Sequence, residues 1–163
     1  MNTRVRCYIG LGSNLDNPRQ QVMDAFRELA QLPDTELVIH SSLYRSDPVG
    51  PQDQPDFINA VAALDTTLEA HCLLNQLQQL EQQHRRIRER HWGPRTLDLD
   101  LLLYGNQQIN SQRLTVPHAY LHERAFVLWP LAEITPELIF PDGTKLPTLL
   151  AACPMGTLAR IQV

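Results

Sequence analysis

The chain has almost no lysine. Lys145 is the only one, so the other 13 of its 14 cations are arginine. Net charge is −4, which argues against general nucleic-acid binding. Cysteine is scarce as well. Cys7, Cys72 and Cys153 stand apart with no CxxC among them, which excludes a disulfide framework and a structural zinc site. They are expected to serve as buried small apolar residues. No apolar run approaches the ~18 residues of a membrane span. The opening "MNTRVRCYIG" lacks a signal peptide's apolar stretch and cleavage site, so a cytoplasmic protein is expected. There is no internal repeat and no low-complexity linker. "YIGLGSN" offers Gly10 and Gly12 but has Leu15 where GxGxxG needs its third glycine, and no Lys-Ser/Thr follows. That rules out a Rossmann fingerprint and a Walker A loop. The two glycines are read as backbone accommodation at the end of a strand.

What remains is an ordinary globular composition. The 163 residues are 43% apolar and 20% charged, which fits one domain, 1–163, around one core. The arginines are unevenly spread. Arg85, Arg86, Arg88, Arg90 and Arg95 fall within eleven residues, and a dense arginine cluster on an acidic protein points to a local anionic ligand.

"VRCYIGL" (5–11) alternates as a strand. Asn17 and Pro18 start a helix, as N-cap and first helical residue, and it runs to about Leu32. "TELVIHSSLYRS" (35–46) reads as a second strand, and 47–56, rich in proline, as a loop. "FINAVAALDTT" (57–67) is a third strand. Leu73, Leu74, Leu77, Leu80 and Ile87 mark a helix over 69–87, and a strand follows at 97–103. The order β-α-β-β-α-β predicts an α+β fold with a ferredoxin-like core. Its sheet is mostly antiparallel, with the helices packed on it. A C-terminal extension adds helix in "AFVLWPLAEI" despite Pro130, a short helix in "PTLLAAC", and an edge strand in "LARIQV".

Within "WGPRTLDLDLLLYG" two aspartates interrupt a leucine run. Residues i and i+2 of a strand share a face ~7 Å apart, so Asp98 and Asp100 project together while Leu97, Leu99 and Leu101 face the helices. Two carboxylates so close call for a cation, and oxygen ligands with substrate phosphates suit magnesium. A bare DxD also occurs on plain solvated sheets. The arginines just upstream favour a divided site instead: cations for phosphate oxygens, carboxylates for metal. Phe57 and Asn59 form another i, i+2 pair, an aromatic face beside an amide, which suits a flat heterocycle. His118 and His122 lack a third ligand and are read as hydrogen-bonding residues rather than zinc ligands.

"HWGPRTLDLDLL" resembles the signature of the 6-hydroxymethyl-7,8-dihydropterin pyrophosphokinase family. "IGLGSNL", "SSLYRSDPVGPQDQPDFINAV", "RLTVPH" and "FVLWPLAEI" extend the resemblance over most of the chain. It implies transfer of pyrophosphate from ATP to the pterin's hydroxymethyl group, with AMP released, in folate biosynthesis. It implies that Asp98 and Asp100 hold two magnesium ions and that Arg86 and Arg95 stabilise the transferring group. Phe57 and Phe126 would sandwich the pterin and Asn59 would bond its polar edge. Ser46, Asp47, Pro48, Val49 and Trp92 would complete that pocket. Gln78, Glu81, Arg88, Leu101, Arg113, Thr115, His118 and Arg124 match ATP-contacting positions. Some residues depart from the pattern. Phe57 stands where some members have tyrosine, Ser46 for a common threonine, Asp47 for proline, and Ala119 for a tyrosine beside ATP.

ATP and the pterin are thus the expected partners of a monofunctional, monomeric enzyme with no nucleic acid and no membrane. The loops 46–56 and 84–95 would close over the substrates. Two other readings fit parts of the sequence. A two-metal nucleotidyl cyclase or palm-like enzyme would use the aspartates, and a non-catalytic metabolite-binding module would use the aromatics. Neither accounts for every motif.

Overall fold

The structure, a computed structural model, describes residues 3–14, 17–47, 56–85 and 97–161. In chain order the elements are β1 (Val5–Ser13), α1 (Pro18–Ala30), β2 (Thr35–His40), β3 (Tyr44–Ser46), β4 (Phe57–Thr66), α2 (Ala70–Arg85) and β5 (Asp98–Tyr104). The last third supplies β6 (Ile109–Asn110), β7 (Thr115–Val116), a 3₁₀ turn (Leu121–Glu123), α3 (Ala125–Ile134), α4 (Leu146–Ala152) and β8 (Ala159–Arg160). The main sheet runs β5-β1-β4-β3-β8, and β2 also pairs with β4. Every neighbouring pair is antiparallel. The ferredoxin-like α+β core and its C-terminal extension are therefore as expected.

The second strand is not continuous. His40 pairs with Ala62 and Tyr44 with Asn59, so Ser41 to Leu43 carry one residue more than β4 offers. Ser41 fills the gap itself. Its N–H donates to the Val61 carbonyl at 2.8 Å, and its Oγ accepts the Val61 N–H at 2.9 Å. A second irregularity lies on β5. Tyr8 of β1 pairs with Leu103 and Ile9 with Leu101, which leaves Leu102 as the extra residue.

The sheet separates two apolar layers. On one face Cys7, Ile9, Leu11, Leu99 and Leu101 pack against Val22, Phe26 and Leu29 of α1 and Leu73 and Leu77 of α2. On the other, Tyr8, Val61, Leu102 and Leu103 pack against Leu128 and Leu131 of α3 and Leu146 of α4. α3 keeps Pro130 inside its span, which removes one helical N–H. Trp129 Nε1 donates to the Cys153 carbonyl at 2.9 Å and ties α3 to the end of α4.

Two local expectations change. Asn17 flanks α1 with Pro18 in the first turn, but it adopts φ 61° and its side chain makes no cap bond. Of the cysteines only Cys7 is buried; Cys153 is half-buried and Cys72 is exposed. Cys72 sits beside the inward-facing Leu73 and Leu74, on the outer surface of α2. Burial pushes the Cys7 thiol up to about 12, so it behaves as an apolar side chain.

Candidate active site

On the α3 side of the sheet, beyond the apolar layer, lies a cavity of about 480 Å³. Its floor comes from β1, β4 and β5, and its wall from the 3₁₀ turn and the start of α3. Asp98 and Asp100 both line it, half-buried, while Leu97, Leu99 and Leu101 lie in the opposite layer. Across the ladder Asp98 pairs with Gly12 and Asp100 with Gly10. The glycines thus do more than accommodate backbone. Gly12 leaves room between Asp98 and the Asn59 amide, and Gly10 makes room for the Leu102 side chain, which lies 3.4 Å from where a β-carbon on Gly10 would be.

Glu81 reaches up from α2, and its Oε2 accepts the Leu99 N–H at 2.8 Å. That fixes the peptide between the two aspartates. Burial raises the Glu81 pKa, and the charges of Asp98 and Asp100 push it the same way. The donor set fits magnesium. Two half-buried carboxylates share one cavity face, with room in front of them. No group of three or more His, Cys, Asp or Glu side chains among the described residues forms an all-protein cage. Magnesium characteristically takes one or two carboxylates and leaves its other positions to water and phosphate.

Asn59 is 5% exposed and stands beside Gly12 on the same floor. Ser46 Oγ donates to its Oδ1 at 2.6 Å, which commits the amide carbonyl and sets the side chain's orientation. A β-carbon on Gly12 would lie 3.2 Å from Asn59 Nδ2. Phe57, two residues earlier on β4, and Phe126, in the first turn of α3, line the same cavity. Asp47 does so too, and its Oδ2 accepts the Thr157 hydroxyl at 2.6 Å.

The family model for 7,8-dihydro-6-hydroxymethylpterin-pyrophosphokinase (HPPK) matches residues 8–136. The chain belongs to this family. It is 53% identical over 156 residues to the 2-amino-4-hydroxy-6-hydroxymethyldihydropteridine pyrophosphokinase of Pseudomonas aeruginosa, covering 96% of each chain. To the enzyme of the same name from Haemophilus influenzae it is 50% identical over 139 residues, covering 85% of this chain and 87% of that one. Among solved structures, wild-type Plasmodium falciparum HPPK-DHPS with pteroate superposes with a TM-score of 0.74 at 13% identity. This likeness is one of fold, and it covers 93% of this chain and 43% of that one.

Eight of the expected HPPK site residues come together in the cavity: Ser46, Asp47, Phe57, Asn59, Asp98, Asp100, Arg124 and Phe126. Six stand outside its lining. Glu81 lies behind the aspartates. Arg113 donates to Asn75 Oδ1 at 2.5 Å and to Gln78 Oε1 at 3.1 Å, on the flank of α2. Thr115 is exposed on β7. The His118 N–H donates to the Leu102 carbonyl at 3.1 Å. The Leu101 side chain is buried in the layer facing the helices, so only its main chain, on the edge strand β5, is open to a ligand. Pro48, Val49, Arg86, Arg88, Trp92 and Arg95 lie outside the described residues.

Tyr120, Glu123 and Thr157 were not expected at this HPPK site. Tyr120 and Glu123 line the cavity, and Thr157 holds Asp47. A signal for Tyr120 exists in the sequence, because it directly follows Ala119, where some members carry a tyrosine.

Proposed function

We propose that the cavity is where ATP and 6-hydroxymethyl-7,8-dihydropterin meet, and that Asp98 and Asp100 are the residues that would hold two magnesium ions. The enzyme is a transferase of folate biosynthesis. It moves the pyrophosphoryl group of ATP to the hydroxymethyl group of the pterin and releases AMP. One observation carries the assignment of roles: a carboxylate pair, a buried amide and two phenylalanines share a single cavity.

The pterin lies between Phe57 and Phe126, its polar edge against Asn59, whose amide is oriented by Ser46. Asp47 to Val49 and Trp92 complete that pocket. ATP takes the arginine-rich side, with Arg124 facing its phosphates and Gln78, Arg88, Arg113, Thr115 and His118 around it. Arg86 and Arg95 stabilise the transferring group. When bound, magnesium neutralises phosphate charge and activates the attacking hydroxyl. The hydroxymethyl oxygen attacks the β-phosphorus, the bond to the α-phosphate oxygen breaks, and AMP leaves. Transfer of this kind rests on positioning and charge stabilisation, so no side-chain nucleophile is needed. The enzyme acts as a cytoplasmic monomer.

The test is incubation with ATP, magnesium and hydroxymethyl-dihydropterin, with products separated by chromatography. AMP and the pterin diphosphate are expected, and chelation of magnesium should stop both. Asp98→Ala and Asp100→Ala should each abolish turnover while circular dichroism stays native. Near-normal AMP formation by either variant would overturn the metal assignment. Pyrophosphate as the sole product would indicate a nucleotidyl-transfer enzyme instead.

A further inference from the structure

Arg124 occupies an unusual place. It joins the 3₁₀ turn to α3, and its carbonyl accepts the N–H groups of Val127 and Leu128 at 2.9 Å each. Its backbone is therefore fixed, but the long side chain is not fixed by that. The guanidinium makes no ion pair with a carboxylate of any described residue. What it does meet is two rings. Its Cζ lies 5.3 Å from the centroid of Tyr120 and 5.5 Å from that of Phe126. Both are inside the ~6 Å over which a cation is attracted to an aromatic face.

Phe126 already has a role as a wall of the pterin pocket. Tyr120 has none. It is 56% exposed although it is a large ring, and its exposed surface lines the same cavity as Asp98 and Asp100. Its own N–H donates to His118 Nδ1 at 3.4 Å, and the two rings are tilted with centroids 6.3 Å apart. The ring is thus set between two residues assigned to ATP.

We propose that Tyr120 is a positioning residue for ATP, holding the Arg124 guanidinium between two rings so that it faces the incoming phosphates. An arginine paired to a carboxylate would have to break that pair to bind phosphate. One held by ring faces keeps its N–H donors free in the guanidinium plane. The inference rests on the proposed ATP site, and it adds a residue that the family resemblance did not supply.

Steady-state kinetics with magnesium-ATP and hydroxymethyl-dihydropterin, scored as AMP, test it. Tyr120→Ala should raise the KM for ATP about fivefold, with kcat and the KM for pterin within about twofold of wild type. Tyr120→Phe should restore the KM for ATP, since the ring and not the hydroxyl carries the effect. In an Arg124→Ala background Tyr120→Ala should add nothing, because the tyrosine acts only through that arginine. An unchanged KM for ATP in Tyr120→Ala overturns the proposal, and so does a full further loss in the Arg124→Ala background. If wild type forms no AMP, the assigned reaction fails instead, and titration of magnesium-ATP against the same five proteins then decides the role of Tyr120 by affinity alone.

Discussion

Gly12 matters for what it leaves empty. It stands between Asp98 on β5 and Asn59 on β4, and the smallest side chain placed there would press on the Asn59 amide at 3.2 Å. Asn59 cannot simply turn away, because Ser46 holds its other end. Gly12→Ala should therefore weaken pterin binding roughly fivefold, for about 1 kcal/mol of crowding, with little change in ATP affinity. Isothermal titration of the pterin checks this; equal losses for both substrates would mean that the whole floor had shifted. At this scale the sequence was a good guide to which side chains share the cavity and a poor one to the space between them. The aspartates, Asn59 and the phenylalanines were legible from alternation and from the family motif. The purpose of the glycines was not, because it depends on which strands lie beside β1.

Among the elements, α3 is tied to its neighbours through a single carboxylate. Glu133 near its C-terminus accepts the Ser42 N–H at 3.0 Å, the Ser42 hydroxyl at 2.9 Å and the Tyr44 hydroxyl at 2.7 Å, with Arg160 at 3.5 Å. One carboxylate thus joins α3 to β3, to β8 and to the break between β2 and β3. Burial pushes its pKa up, but the hydrogen bonds from Tyr44 and Ser42 outweigh this and hold it below the usual carboxylate range. Glu133→Ala should cost about 1–3 kcal/mol through the donors left behind and lower Tm by several degrees, as calorimetry would show. A Tm within a degree of wild type would mean water replaces the carboxylate without loss. The break that Glu133 covers was not legible in "TELVIHSSLYRS", which alternates well enough for one strand. Ser41 closes its own gap by hydrogen bonds to Val61, and side-chain periodicity carries no trace of that.

For the whole molecule, acid is the informative perturbation. The Arg6 guanidinium, bonded to Asp65 at 2.5 Å, holds that carboxyl below its ordinary value, and Glu133 is depressed as well. Groups depressed in the folded state contribute stability that is complete above their unfolded pKa, about 4, and lost as pH falls through the folded values. Glu81 has the opposite sign, since burial raises it; its contribution is present at low pH and fades as pH rises through its folded pKa. Urea unfolding at pH 7, 4 and 3 should show a steep loss below pH 4 that Asp65→Asn and Glu133→Gln each reduce. An unchanged slope in both variants would assign the loss to other carboxylates. The molecular architecture was largely legible, because βαββαβ order follows from hydrophobic period and loop composition. The tertiary placement of the last third was not, since β6, β7 and β8 are two residues each and owe their existence to the neighbours they meet.

The extra residue on β5 uncouples the two ends of that strand. Before Leu102, odd positions face the helices α1 and α2; after it, Leu103 joins the opposite layer and Tyr104 turns back to bond the Leu68 carbonyl. The carboxylate end and the tyrosine end are therefore two separately anchored reading frames on one strand. A chain lacking one residue at this point would keep Asp100 opposite Gly10 and Leu103 opposite Tyr8. The bulge is thus a place where the length of the strand could drift over evolution without moving the aspartates.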